Sequence, residues 1–150
     1  LLKTYLDKQY QIKLLESRQK QQGTTLPMRF QAYERLSLFC ERIAIPNLVL
    51  RQRQDDQTSA ALRLALLVTI QHEFEYNVTQ QVYISEQLWQ IIKISRDDTV
   101  NIINGIFEQV DPDSPSRELA NRLLFYVENQ PASALEKALV AIKKEASLLI

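Results

Sequence analysis

A chain of 150 residues with 2 Gly, 5 Pro, one Cys and one His is the size of a single domain and poor in the residues that hairpins and nucleotide loops require. Lone Cys40 excludes an internal disulfide, and one His with one Cys leaves no ligand set for a nitrogen and sulfur zinc site. The formal net charge is +0, but Leu1 to Gln54 carries ten Lys or Arg against four acids while the remainder is correspondingly acidic. The fold expected is all-α, a bundle of about five to six helices with an extended N-terminal helix.

Leu1 to Gln22 reads as a stalk helix, followed by a single helical domain over 23–150. Leu1, Tyr5, Ile12 and Leu15 fit a seven-residue seam, with Lys8 filling the vacant core position. So narrow a stripe belongs to a stalk or a partner-dependent coiled coil more often than to a core helix. Gly23-Thr24-Thr25 reads as its stop, and Pro27 as the first turn of a second helix. That helix presents Phe30, Tyr33, Leu36, Cys40 and Ile43 on one face and is expected to close at Pro46. Residues 47–58 read equally as a short helix or an extended connector.

Thr58 or Ser59 reads as the N-cap of a central helix running to about Gln80, its first third, Leu62 to Ile70, apolar on nearly every face. Ser85 reads as the next N-cap, with Ile84 and Trp89 at the spacing of a hydrophobic staple. Asp111 to Pro115 breaks the chain before a fifth helix carrying Leu119 and Leu123. Ser133 with Glu136 forms a capping-box pattern. Leu135, Leu139, Ile142, Ala146 and Leu149 then make a seam that another helix or a second subunit must cover.

The polar stretch after the central apolar run holds the candidate contact surface: His72, Glu73, Glu75, Tyr76, Asn77, Gln80 and Gln81. His72-Glu73 opens like the zinc-protease helix motif, but Tyr76 stands where its second histidine must be. No metal site, no cofactor and no catalytic residue is assigned. The alternative is a metal-dependent or acid–base enzyme using His72, Glu73 and Glu75. Gly-rich phosphate loops and nucleophile elbows are missing from the sequence. The basic N-terminal third suits anionic lipid headgroups, with Lys3, Lys8 and Lys13 as candidate contacts. It lacks a nucleic-acid recognition motif, so nucleic acid is the less favoured partner. Asn77-Val78-Thr79 matches the glycosylation sequon, but it falls within a helix pattern with no secretory signal and is discounted.

Three segments, AYERLSLFCERIAIPNLVLR (Ala32 to Arg51), QHEFEYNVTQQVYIS (Gln71 to Ser85) and LEKALVAIKKEASLL (Leu135 to Leu149), together resemble a family of uncharacterised Bacteroidetes proteins. Members of that family carry one N-terminal transmembrane helix and then a cytoplasmic helical domain. The resemblance covers essentially the whole chain, and Tyr76 departs from it where the family motif has histidine. It implies that Leu1-Leu2 is the stub of a membrane span absent from this fragment, that the stalk helix is juxtamembrane and that the domain faces the cytoplasm from the inner membrane. The basic excess then follows the positive-inside tendency. The function expected is a membrane-tethered interaction or scaffold module that binds a protein partner or self-associates.

Overall fold

In the computed structural model the backbone is described for residues 1–150, and the side chains for all of these but Gln21, Gln22 and Thr24. Six α-helices follow in order: α1 (Leu2–Ile43), α2 (Ile45–Gln52), α3 (Ser59–Asn77), α4 (Glu86–Phe107), α5 (Ser116–Glu128) and α6 (Ala134–Ser147). A 3-10 segment, Val78–Tyr83, joins α3 to α4. The all-α expectation holds, and no strand is present among the described residues.

The expected stop at Gly23 does not occur, because α1 runs through it for 42 residues with Pro27 inside. A glycine stop needs the left-handed conformation, and neither glycine has positive φ. Pro27 lacks the N–H that would reach the Gly23 carbonyl one turn back. The helix tolerates this gap at an exposed position, where the carbonyl is open to solvent. At 1.5 Å per residue α1 is about 60 Å long, roughly twice the width of a small domain, so only its second half can lie in the core. Ala32, Tyr33, Leu36, Phe39, Cys40 and Ile43 are buried there, whereas residues 1–20 are all exposed.

α1 ends at Ala44, whose ψ of 133° turns the chain. Its last carbonyls are taken by side chains of the next helix, Asn47 Nδ2 donating to the Glu41 carbonyl (2.7 Å) and Arg51 to that of Arg42 (2.8 Å). The undecided segment after Pro46 is thus helical as far as Gln52 and a connector beyond it, with Pro46 in the first turn of α2 rather than outside it.

α3 packs against α1, α2, α4 and α5. It is central, but it is not buried all round as its composition suggests: Leu62, Leu66 and Ile70 are buried while Leu64 and Val68 are exposed. Its start is locked to that of α5. Thr58 Oγ1 accepts from the Ala61 amide, and the Ser59 and Ala60 amides donate to the Ser114 and Pro112 carbonyls. The Ser116 amide donates to the Gln57 carbonyl, and the buried hydroxyls of Ser59 and Ser116 bond across the same junction. The orphan amides of Ser59, Ala60 and Ser116, satisfied across the junction, fix the angle between two helices.

Ser85 caps α4 and Ser133 caps α6, each hydroxyl accepting from the amide three residues on at 3.1 Å. The Ile84 and Trp89 side chains are buried, as the staple spacing requires. α4 passes Ser95 and Gly105 without a break. The α6 seam is covered within the chain, by α4 and α1. There Glu145 accepts from the Tyr33 hydroxyl (3.0 Å), the Ser85 amide (3.2 Å) and the Ser85 hydroxyl, so one carboxylate ties α1, α4 and α6. Burial first, and then Glu145, hold the Tyr33 phenol above its ordinary value of 10.0.

Cys40 is buried, and burial together with the Glu41 charge pushes its thiol from 9.0 up to about 12. The folded state therefore keeps a proton that the unfolded chain releases above pH 9. This contribution is full below pH 9 and is lost as pH rises from 9 towards 12, to an upper limit of about 4 kcal/mol. Urea midpoints from pH 8 to 11 should fall less steeply in Cys40→Ala than in the native chain, and equal slopes would contradict the assignment.

Candidate functional site

The N-terminal half of α1 and the crossing of α1 with α3 hold the surface features that packing leaves unexplained. On the first, Leu1, Leu2, Tyr5, Leu6, Tyr10, Ile12, Leu14 and Leu15 are all exposed, from 42% at Leu14 upward. A helix apolar over so wide an arc normally buries it. Lys3, Lys8 and Lys13 are exposed on the same segment, Lys8 within the seam formed by Tyr5, Ile12 and Leu15. Among the described residues no helix is long and apolar enough to cross a membrane.

At the second, a groove of about 600 Å³ runs between α1 and α3. Four of the residues singled out from the sequence line it: His72, Glu73, Tyr76 and Asn77. They fall there because positions 72, 73, 76 and 77 recur at helical spacing on the α3 face turned towards α1. The opposite wall comes from Arg35, Leu38 and Arg42, with buried Phe39 as the floor. Arg42 Nε donates to Glu73 Oε1 at 2.6 Å, a part-exposed pair that closes one end. Arg35 lies over the Tyr76 ring at 4.9 Å and donates to the Tyr76 carbonyl at 2.8 Å, closing the other. Leu38 and Tyr76 stay 59% and 75% exposed between these clasps, an apolar strip bounded by cations.

The remaining candidates are not in this groove. Glu75 is exposed and accepts from Gln71 Nε2 at 2.9 Å. Gln81 is exposed and donates to the Val78 carbonyl, serving the 3-10 segment. Gln80 is buried, so its side chain is not surface. Asn77 is also buried and donates to the Glu73 carbonyl, which ends α3. His72 and Glu73 thus share a groove without Glu75. Among the described residues no three His, Cys, Asp or Glu side chains converge as metal ligands.

The α1 wall was missed in the sequence because Arg42 and Glu73 lie 31 positions apart and no local spacing links them. Leu38 did carry a signal, since it is the large apolar side chain that falls off the Tyr33, Leu36, Cys40 and Ile43 face.

A family model described as a family of unknown function, DUF7935, matches residues 1–149, and the chain belongs to that family. No curated protein and no solved structure matches the chain.

Proposed function

We propose that this member of the family of unknown function is an assembly module, a helical bundle carried on a stalk helix that pairs with the stalks of further copies. The observation that supports it is the exposure of the seam residues Leu1, Tyr5, Ile12 and Leu15, with four further exposed apolar side chains beside them in the first fifteen residues. A helix of about 20 residues projecting into water is marginal alone, and burying a seven-residue seam against its own copy offsets that cost. In this reading the stalk end lies against the inner membrane on its cytoplasmic side, with Lys3, Lys8 and Lys13 near anionic headgroups. The groove between α1 and α3 is then the surface offered to a different protein. Acid–base or metal chemistry by His72, Glu73 and Glu75 is the weaker reading, since Glu73 is tied to Arg42 and Glu75 to Gln71.

Cysteine crosslinking tests the seam. In a Cys40→Ala background, Ile12→Cys is expected to form disulfide-linked dimers under mild oxidation, because a seam position brings copies within the Cα separation a disulfide needs. Ser17→Cys, on the opposite face of the same helix, is expected to stay monomeric. Equal crosslinking at both positions, or at neither, contradicts the seam.

A further inference from the structure

On the side of α1 away from the groove lies a second and more enclosed space, a cavity of about 500 Å³ where the ends of four helices meet α4. Its volume is within the range of small-molecule sites, which pair an apolar interior with a few polar groups. One wall is apolar, formed by Ile45, Ile102, Leu135 and Leu139 with Cys40 beside them, and polar side chains make up much of the rest. Leu135 and Ile45 are buried, and Ile102 and Leu139 are half-buried, so this wall is part of the core and is held by it.

The polar groups are of one predominant sign. Glu41 on α1, Asp98 on α4 and Glu136 on α6 line the space against a single ammonium, Lys137. Among the described residues the close ion pairs are Arg42–Glu73, Arg53–Asp55 and Arg96–Asp97, and none of these three carboxylates takes part in one. The backbone does not reverse this sign. α1 and α5 end at the cavity while α2 and α6 begin there, so two negative and two positive helix termini face it and largely offset one another. The side chains therefore decide which charge is favoured. Tyr126 adds an aromatic side chain to the lining, a surface that alkyl chains and cations both favour.

We propose that this cavity binds an alkylammonium ligand, its apolar tail against Ile102 and Leu139 and its cationic head towards the acidic rim to which Glu41, Asp98 and Glu136 each contribute. The preference for a cation over a neutral or anionic group of the same length is the specific content. An apolar cavity without the carboxylates would take all three alike.

Isothermal titration of the full chain with n-octylamine, n-octanol and octanoate at neutral pH tests this, the three sharing a tail of about eight carbons that suits a cavity of this class. Octylamine is expected to bind saturably at one site, with octanoate weaker by roughly tenfold or more and octanol in between. Asp98→Asn should weaken octylamine binding roughly threefold or more while leaving octanol unchanged. Ala132→Trp adds bulk at an exposed position on the rim and should abolish binding without touching the core, with circular dichroism confirming an unchanged fold. Octanoate binding as tightly as octylamine overturns the proposal. So does octylamine binding that survives Ala132→Trp, that has no fixed stoichiometry, or that does not occur.

Discussion

Trp89→Ala is expected to cost about 3–5 kcal/mol of stability, seen as a large fall in the urea midpoint with little change in slope. Trp89 is buried and stacks on Phe74, ring centroids 5.4 Å apart at 22°. Phe74 meets Phe39 edge-on at 6.2 Å, and the Arg96 guanidinium lies over Phe74 at 4.0 Å. One aromatic each from α1, α3 and α4 thus interlock, and such pairs add about 0.5–1.5 kcal/mol beyond area burial. Truncation at Trp89 leaves a void that two helices cannot close, because their spacing is set by Phe39 and Phe74. Tyr76→Ala is the control: its ring is 75% exposed, and its loss should change stability by no more than about 1 kcal/mol. A Trp89→Ala loss as small as that of Tyr76→Ala would remove this cluster from the centre of the fold.

Glu145→Ala is expected to cost about 2–4 kcal/mol, since it leaves a part-buried amide and two hydroxyls without their acceptor. The carboxylate takes the Tyr33 hydroxyl, the Ser85 amide and the Ser85 hydroxyl, while the Ser85 hydroxyl also caps the Leu88 amide. Removing it therefore loosens the N-terminus of α4 as well as the seating of α6. Tyr33→Phe removes one of these bonds and should cost about 1 kcal/mol. The double variant should be less destabilised than the two single losses added together, because both act on one network. Strict additivity, measured by urea unfolding, would show that the bonds are independent.

The helices were legible from residue type because their caps and apolar spacings are local. Thr58, Ser85 and Ser133 each accept from the amide three positions on, and that pattern is written within four residues. The long α1 was not legible as one helix, because Gly23 and Pro27 are stop signals by propensity and their cost is small at an exposed position. Leu64 and Val68 were read as core from composition, but composition cannot say which faces of a helix find neighbours. The groove was half legible: the α3 wall followed from a polar break after an apolar run. The α1 wall depended on the angle at which two helices cross, which comes from how the buried faces of α1 and α3 pack in the common core. Glu145 was wholly hidden, since its partners lie 60 and 112 positions away.

The account places assembly in the exposed apolar half of α1, and sedimentation equilibrium of the native chain beside an Ile12→Glu/Leu15→Glu variant tests that claim most directly. Both substituted residues are exposed, so the variant should keep the native fold, checked by circular dichroism. The native chain is expected to sediment as an oligomer that dissociates on dilution, and the variant as a monomer throughout. A native chain that is monomeric at the highest concentration reached, or a variant that associates as strongly as the native protein, would contradict it.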